Sequence, residues 1–484
     1  MARQSLAARA AMALVLTVGF YLLALAIAGG LLFFVYAELM WADRILVKPT
    51  IFAVIGAALI LWSILPRWDR FTAPGPLLKG SAHPELFRML TDVAKATGQE
   101  MPREVYLVGD VNAWVTQRGG IMGLGSRRVM GIGLPLMQTV TVSQLRAILA
   151  HEFGHYHGGD TALGPWIYKT REAIGRTVEN LARNGSFLHK PFLWYGNFFM
   201  RVTQAISRAQ ELAADRLSAA VAGARDSIDA LVAVQRAGVA YDAYWQSEVV
   251  PVLSSGFRPP IAAGLTQFLS AESISKSLGE HIEQELSGGT ADPYDSHPPL
   301  RERIEALRQL DNGSTPGPPQ IASSLLRNVD RLEHELLLSF GVDPALVKNL
   351  SRIQWEETGS RVFLPIWQKQ VEENAPALRE VRVSALPDVL AMLPKFSARL
   401  QIKDVPPEEH AVAAQGILGS ALAVRLNREG WSVDARPGLP VTMIKDGRTI
   451  EPFAVPGKLA NGELTAQAWA EECVRAGVGE KFLA

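Results

Sequence analysis

The chain is 484 residues long, enough for two or three domains, and its 48 basic and 48 acidic side chains cancel. Zero net charge leaves no electrostatic footprint for nucleic acid. A single cysteine, Cys473, excludes an internal disulfide and a multi-thiolate zinc site, while a positive mean hydropathy (+0.10) points to membrane segments.

Arg3 and Arg9 precede an uncharged run over residues 10–37, long enough to span a bilayer. Ala24-Leu25-Ala26 and Ala26-Ile27-Ala28 resemble signal-peptide cleavage sites. Cutting there would leave the apolar residues 31–36 at a new terminus, and the run exceeds a signal core, so it reads as a retained helix. A second uncharged run, residues 49–66, follows a short linker, with Trp41, Trp62 and Trp68 where interface aromatics belong. The two form a transmembrane hairpin. Arg67, Arg70 and Lys79 join Arg3 and Arg9 outside the hairpin, against Arg44 and Lys48 inside it, which places both ends in the cytoplasm.

Residues 74–84 form a Pro- and Gly-rich linker. Leu86, Leu90, Val93 and Ala94 then mark an amphipathic helix ending near Gly98. Residues 104–108, 111–115 and 128–132 read as strands. This order, leading into a further helix, is that of an α+β metalloprotease core.

The next helix carries the chemistry. Thr141 and Gln144 make a capping box, and Val142, Leu145, Ile148 and Leu149 follow at helical spacing until Gly158-Gly159 stops it. On it lies His151-Glu152-Phe153-Gly154-His155. The two histidines are one turn apart on one face, so both imidazoles can bind one zinc ion. Glu152 lies about 60° around from His155, beside such a metal, where it can take a proton from water. Histidines that merely fill a core rarely bracket a carboxylate in this way.

Beyond it, Lys169, Arg171, Glu172, Arg176, Glu179 and Arg183 interrupt any span, and the apolar residues 192–200 are too few to cross a bilayer. That segment reads as core, interfacial anchor or a lip over the active site. Residues 201–222 form a helix on which Glu211 and Asp215 share a face among alanines. Exposed carboxylates so placed repel each other unless something positive lies beside them. Ser296-His297-Pro298-Pro299 reads as a turn entering a helix. Residues 311–319 are a linker. After it come helices over 409–427 and 465–476 and a hairpin at Asp446-Gly447, with no catalytic constellation.

Four separated stretches together resemble the membrane zinc metalloendopeptidases typified by the HtpX heat-shock protease and the CAAX prenyl protease. They are Asn112-Ala113, His151-Glu-Phe-Gly-His155, Ser207-Arg-Ala-Gln-Glu-Leu-Ala-Ala-Asp215 and Ser296-His-Pro-Pro299, spread over about residues 80–310. The resemblance implies one zinc ion per chain on His151, His155 and Glu211, with Glu152 as general base and His297 stabilising the oxyanion. It implies that Asp215 orients a ligand imidazole, and that Asn112 and Ala113 lie on an edge strand that docks an extended polypeptide substrate. The nearer candidate ligand, His157, lies two residues past His155 and points about 200° away on a continuous helix.

The expected fold is mainly α (α+β), with an N-terminal transmembrane helical hairpin (1–70), a zincin-type metalloprotease core with a small edge-accessible sheet (71–315), and a separate α+β C-terminal domain (320–484) that lies outside the resemblance. The expected function is hydrolysis of peptide bonds in misfolded or damaged proteins, at the cytoplasmic face of a bacterial inner membrane whose lipid holds the hairpin. The alternative is a non-hydrolytic polypeptide-binding chaperone or assembly factor, which would have no need of Glu152. Two features depart from the heat-shock proteases. The interval that holds their second transmembrane hairpin is charged here, which favours cytosolic or peripheral substrates, and Trp114 replaces a smaller aromatic in the edge strand.

Overall fold

The computed structural model describes the chain except for residues 1–5, 43, 66–70, 120–124, 156–163, 289–297, 311–316, 340–343 and 404. It is mostly helical, with small sheets, and divides into two units. One comprises Met1–Gln235 and His281–Leu332; the other comprises Arg236–Glu280 and Glu333–Ala484.

In the first unit, α1 (Leu6–Trp41) and α2 (Val47–Ile64) pair as the expected hairpin, and both are long and apolar enough to cross a membrane. Their facing sides are narrow. On α1, Ala13, Leu16, Phe20, Ala24 and Ala28 are buried; on α2, Ala53, Gly56, Ala57 and Ile60. Small residues let the backbones approach closely, while Leu22, Leu25, Phe33, Ile51, Val54 and Trp62 point outward. So much outward apolar surface suits lipid rather than water. At the turn, the buried Glu38 carboxylate accepts from Leu46 N–H and the Thr50 hydroxyl, satisfying donors at the start of α2.

A four-stranded sheet follows. It consists of β1 (Leu77–Leu78), β2 (Glu104–Val108), β3 (Ala113–Arg118) and β4 (Arg127–Gly133), with α3 (Pro84–Thr97) after β1. The spatial order is β1-β2-β4-β3, with β2 parallel and β3 antiparallel to β4, so β3 is an edge strand. The Trp114 indole lies so close over Gly131 that any side chain there would collide with it.

Next come α4 (Leu134–Thr139) and α5 (Val142–Gly154), the latter opened by the expected Thr141–Gln144 capping box. α6 (Gly164–Arg183) and α7 (His189–Ala222) form a second helical pair against α1 and α2. Ile174, Leu181, Leu188, Phe192 and Phe199 join the hairpin's apolar cluster, and Asn180 donates to Ser63. The apolar residues 192–200 are thus two-faced. Phe192 and Phe199 are buried, whereas Leu193, Trp194 and Phe198 lie outward.

The remaining helices to residue 308 are α8 (Ala224–Tyr244), α9 (Val250–Ser254), α10 (Ile261–Ser270), α11 (Glu272–Gly288) and α12 (Leu300–Arg308). The expected linker at 311–319 does not end this unit. Gln320 C=O accepts from Val142 N–H at 2.8 Å, and Ala322 N–H donates to Val140 C=O at 2.9 Å, so this later segment pins the start of α5.

The second unit joins residues 236–280 to the C-terminal part. Tyr244, Phe268 and Trp355 form one apolar cluster, and the helix His410–Arg428 lies in another. Its three-stranded antiparallel sheet includes the expected hairpin, with Asp446 (φ 50°) and Gly447 (φ 76°) both left-handed, as a tight two-residue turn requires. Cys473 is buried and its thiol is pushed up to about 12, which leaves it inert.

Candidate metal centre and its cavity

The centre forms where α5 and α7 cross. Gly154 permits the crossing, since a Cβ there would stand 2.9 Å from the Ala214 Cα. Ala214 lies between Glu211 and Asp215, so contact at the glycine brings both carboxylates onto the histidine helix. One turn further, the Ser218 hydroxyl donates to Ala147 C=O at 2.8 Å and fixes the register of the two helices.

The rings of His151 and His155 stand 4.8 Å apart, nearly perpendicular. Glu211 faces both: Oε2 lies 3.4 Å from His151 Nε2, and Oε1 lies 3.7 Å from His155 Nε2. Ligand atoms held about 2.1 Å from a tetrahedral zinc are about 3.4 Å apart. The two spacings come close to this, one through each oxygen of the Glu211 carboxylate. The nearest ligand atoms of His151, Glu152 and His155 also lie within 4.8 Å of one another, which sets Glu152 beside the cation position.

Behind the ligands, Asp215 Oδ1 holds His151 Nδ1 at 2.9 Å, fixing the tautomer that leaves Nε2 free to ligate. Arg303 on α12 grips the same carboxylate through two bonds, Nε to Oδ2 at 2.8 Å and Nη2 to Oδ1 at 2.7 Å. Glu211 and Asp215 are 6% and 3% exposed. Burial at that depth is costly for carboxylates unless positive partners face them. For Asp215, burial pushes the pKa up, but the bonds from Arg303 and His151 outweigh it and hold the carboxyl below its usual value.

His151 reports the remaining imbalance. Burial would lower its pKa, yet the hydrogen bonds to Asp215 and Glu211 and the charge of Glu152 raise it to about 9. The carboxylates around this ring outweigh Arg303, and the proton on the imidazole stands where a divalent cation would serve better. The donor set fits zinc.

The centre opens into a cavity of about 530 Å³. Asn112, with Ala113 and Trp114 of the edge strand, lines one side, with His151 and Glu152 of α5 and the adjoining His155. Ala230, Leu231, Val234 and Gln235 of α8 line another, together with Glu285, Pro298 and Leu300. The structure thus brings together seven of the residues singled out from sequence: Asn112, Ala113, His151, Glu152, His155, Glu211 and Asp215. His297 and His157 lie outside the described residues. Arg303 was not singled out, although a signal existed. It lies on the face of α12 that carries the buried Leu300, Ile304 and Leu307, where an arginine needs an anionic partner.

Residues 81–311 match the family model of peptidase family M48. Among curated proteins, protease HtpX of Idiomarina loihiensis is 26% identical over 287 residues, covering 55% of this chain and 86% of that protein. Protease HtpX of Cellvibrio japonicus is 22% identical over 294 residues, covering 56% and 87%. Protease HtpX of Pseudoalteromonas atlantica is 25% identical over 199 residues, covering 37% of this chain and 57% of that protein. No solved structure matches the chain. Together with two apolar helices ahead of the matched segment, these likenesses make the chain similar to the HtpX-like, membrane-associated metalloproteases of peptidase family M48.

Proposed function

We propose that the protein is a membrane-anchored zinc endopeptidase that hydrolyses peptide bonds in misfolded or damaged proteins, with its catalytic unit at the cytoplasmic face of a bacterial inner membrane. The observation that carries this reading is the convergence of His151, His155 and Glu211 with Glu152 beside them, in a cavity walled by an edge strand.

His151, His155 and Glu211 would hold zinc, which would supply Lewis acidity for the scissile carbonyl and for the attacking water. Glu152 takes the proton of the attacking water and passes it to the leaving amine. Asp215, itself clamped by Arg303, keeps the His151 proton on Nδ1. The outer edge of β3, with Asn112 and Ala113 at its start, offers main-chain groups to an extended polypeptide, a mode that tolerates many side chains. His297 is assigned the developing oxyanion, and its neighbour Pro298 lines the cavity.

Purified full-length protein in detergent, given an unfolded model protein, should cleave it, and a chelator should abolish cleavage. Glu152→Gln should keep zinc while losing roughly three or more orders of magnitude in rate. Near-parental cleavage by the Gln variant would overturn the mechanism. Binding without cleavage by the parent would leave a polypeptide-binding role instead.

A further inference from the structure

The cavity extends past the metal centre, and one charged group on its wall has no part in that centre. Glu285, near the end of α11, accepts from Gln235 Nε2 at 3.0 Å, and among the described residues no cation pairs with it. The other charges lining the cavity are committed. Arg303 is taken up by Asp215 at 2.7 and 2.8 Å, while Glu211 and Glu152 face the cation position. A neutral amide donor leaves the Glu285 charge intact, whereas an arginine in its place would have consumed it.

The cavity that this carboxylate lines is also lined by apolar side chains, with Ser218 and Ser227 among them. Ala230 and Val234 lie one turn apart on α8, Leu231 lies one turn before Gln235, and Leu300 faces the same space. The carboxylate is held in place because Ile282 and Leu286, its neighbours on α11, pack against Leu231, Leu300 and Ile304. Apolar lining together with an anion unpaired among the described residues suits a long aliphatic side chain with a cationic tip.

We infer that Gln235 and Glu285 form an anionic side-chain subsite that selects a lysine or arginine immediately beside the scissile bond of the substrate. This rests on the peptidase reading above and deepens it. The edge strand would accept many sequences through its main chain, while this subsite would bias which bond is cut. The substrate class is therefore unfolded polypeptide cut next to basic residues.

The test uses zinc-loaded full-length protein in detergent. Cleavage sites in an unfolded protein are mapped first. Matched peptides are then compared with lysine, norleucine or glutamate placed in turn at each position flanking the cut. One position should favour lysine over norleucine by roughly tenfold or more in kcat/KM, with glutamate poorest. Glu285→Gln should bring the lysine-to-norleucine ratio close to one, Glu285→Lys should invert the preference towards glutamate, and Glu285→Asp should keep part of the bias. Equal use of lysine and norleucine by the parent overturns the subsite and needs no variant to show it, and an unchanged ratio in Glu285→Gln overturns it equally. Failure of the parent to cut either the unfolded protein or any peptide would sink the peptidase reading itself, and the subsite with it.

Discussion

The two halves of α7 solve opposite problems with one helix. Its first half presents Phe192 and Phe199 to Leu16, Phe20 and Ala24 of the apolar hairpin. Its second half presents Glu211 and Asp215 to the histidines of α5. Burying aromatic rings is favourable almost wherever they fit. Burying two carboxylates is favourable only if charge and hydrogen bonds are matched around them. The membrane-side half is therefore held by shape, and the metal half by charge, with His151, His155 and Arg303 as counterweights. At 34 residues, about 50 Å of continuous helix, α7 ties the ligand-bearing turn to the hairpin bundle. The charge-held half should respond to ligand removal, pH and metal; the shape-held half should not.

The largest expected break in that comparison is Glu211→Ala. It removes the carboxylate that faces both imidazoles at 3.4 and 3.7 Å, leaving two neutral histidines that hold a metal poorly alone. The purified variant should lose stoichiometric zinc and all measurable peptidase activity, whereas His157→Ala should keep its metal. Metal analysis of the two decides between them, and zinc retained by Glu211→Ala would remove the glutamate from the centre.

Acidity should come next. In the metal-free protein His151 keeps its proton up to about 9, against 6.5 for an ordinary imidazole. Because the folded pKa is raised, that proton stabilises the metal-free fold fully below 6.5, and the contribution is lost as pH climbs through about 9. Zinc requires the imidazole neutral, so it competes with the proton. Apparent zinc affinity should rise about tenfold per pH unit from about 7 to 9 and flatten above, with about one proton released per ion bound. Competition titrations against a chromophoric chelator would read this directly. A flat profile over those two units would show that the carboxylates do not hold the ring as described.

Much of the charge-held half was legible because its signals are local. A capping box, an i, i+4 histidine pair and an i, i+4 carboxylate pair can each be read within one helix. The twin apolar helices and the Asp446-Gly447 turn are equally local. What could not be read depends on packing between distant segments. Arg303 meets Asp215 across 88 positions of sequence, and Glu285 meets Gln235 across 50. The charges on α6 rule out a span there but do not show which face the helix buries. They sit on a two-faced helix whose other side, with Ala173, Ile174 and Leu181, is buried there. Arg171 Nη2 donates to the Thr203 hydroxyl within the pair at 2.7 Å. The division of the chain was also non-local, since residues 236–280 fold with 333–484 rather than with their sequence neighbours.

Asp215→Asn is a milder cut into the same charge network. It keeps the shape and can still contact His151, but it removes the anion that holds the Nδ1 proton and faces Arg303. Zinc affinity should fall by about 10- to 100-fold. Breaking a buried ion pair from one side should also cost about 3–5 kcal/mol of fold stability. Arg303→Met should share the stability loss, because it strands Asp215 instead. The double variant should recover part of it, as a double-mutant cycle on thermal unfolding would show. Additive losses would mean that the two residues do not act as a pair.

The smallest effect on the metal should come from the shape-held half. Phe192 is fully buried against Phe20, the rings meeting edge to face with centroids 6.3 Å apart. Truncation to alanine leaves a cavity among α1, α6 and α7 and should cost about 3–5 kcal/mol in the bundle if the surroundings fail to collapse. Glu211 lies 19 positions further along α7, more than five turns away, and Phe192 belongs to the hairpin's apolar cluster, which among the described residues includes none of the groups around His151. Sites that far apart without shared partners normally act independently. Phe192→Ala should therefore lower the thermal midpoint of the detergent-solubilised protein while leaving zinc affinity within about twofold of the parent. A loss of zinc affinity comparable to that of Asp215→Asn would mean that α7 transmits strain along its length, and the division into a shape-held and a charge-held half would have to be abandoned.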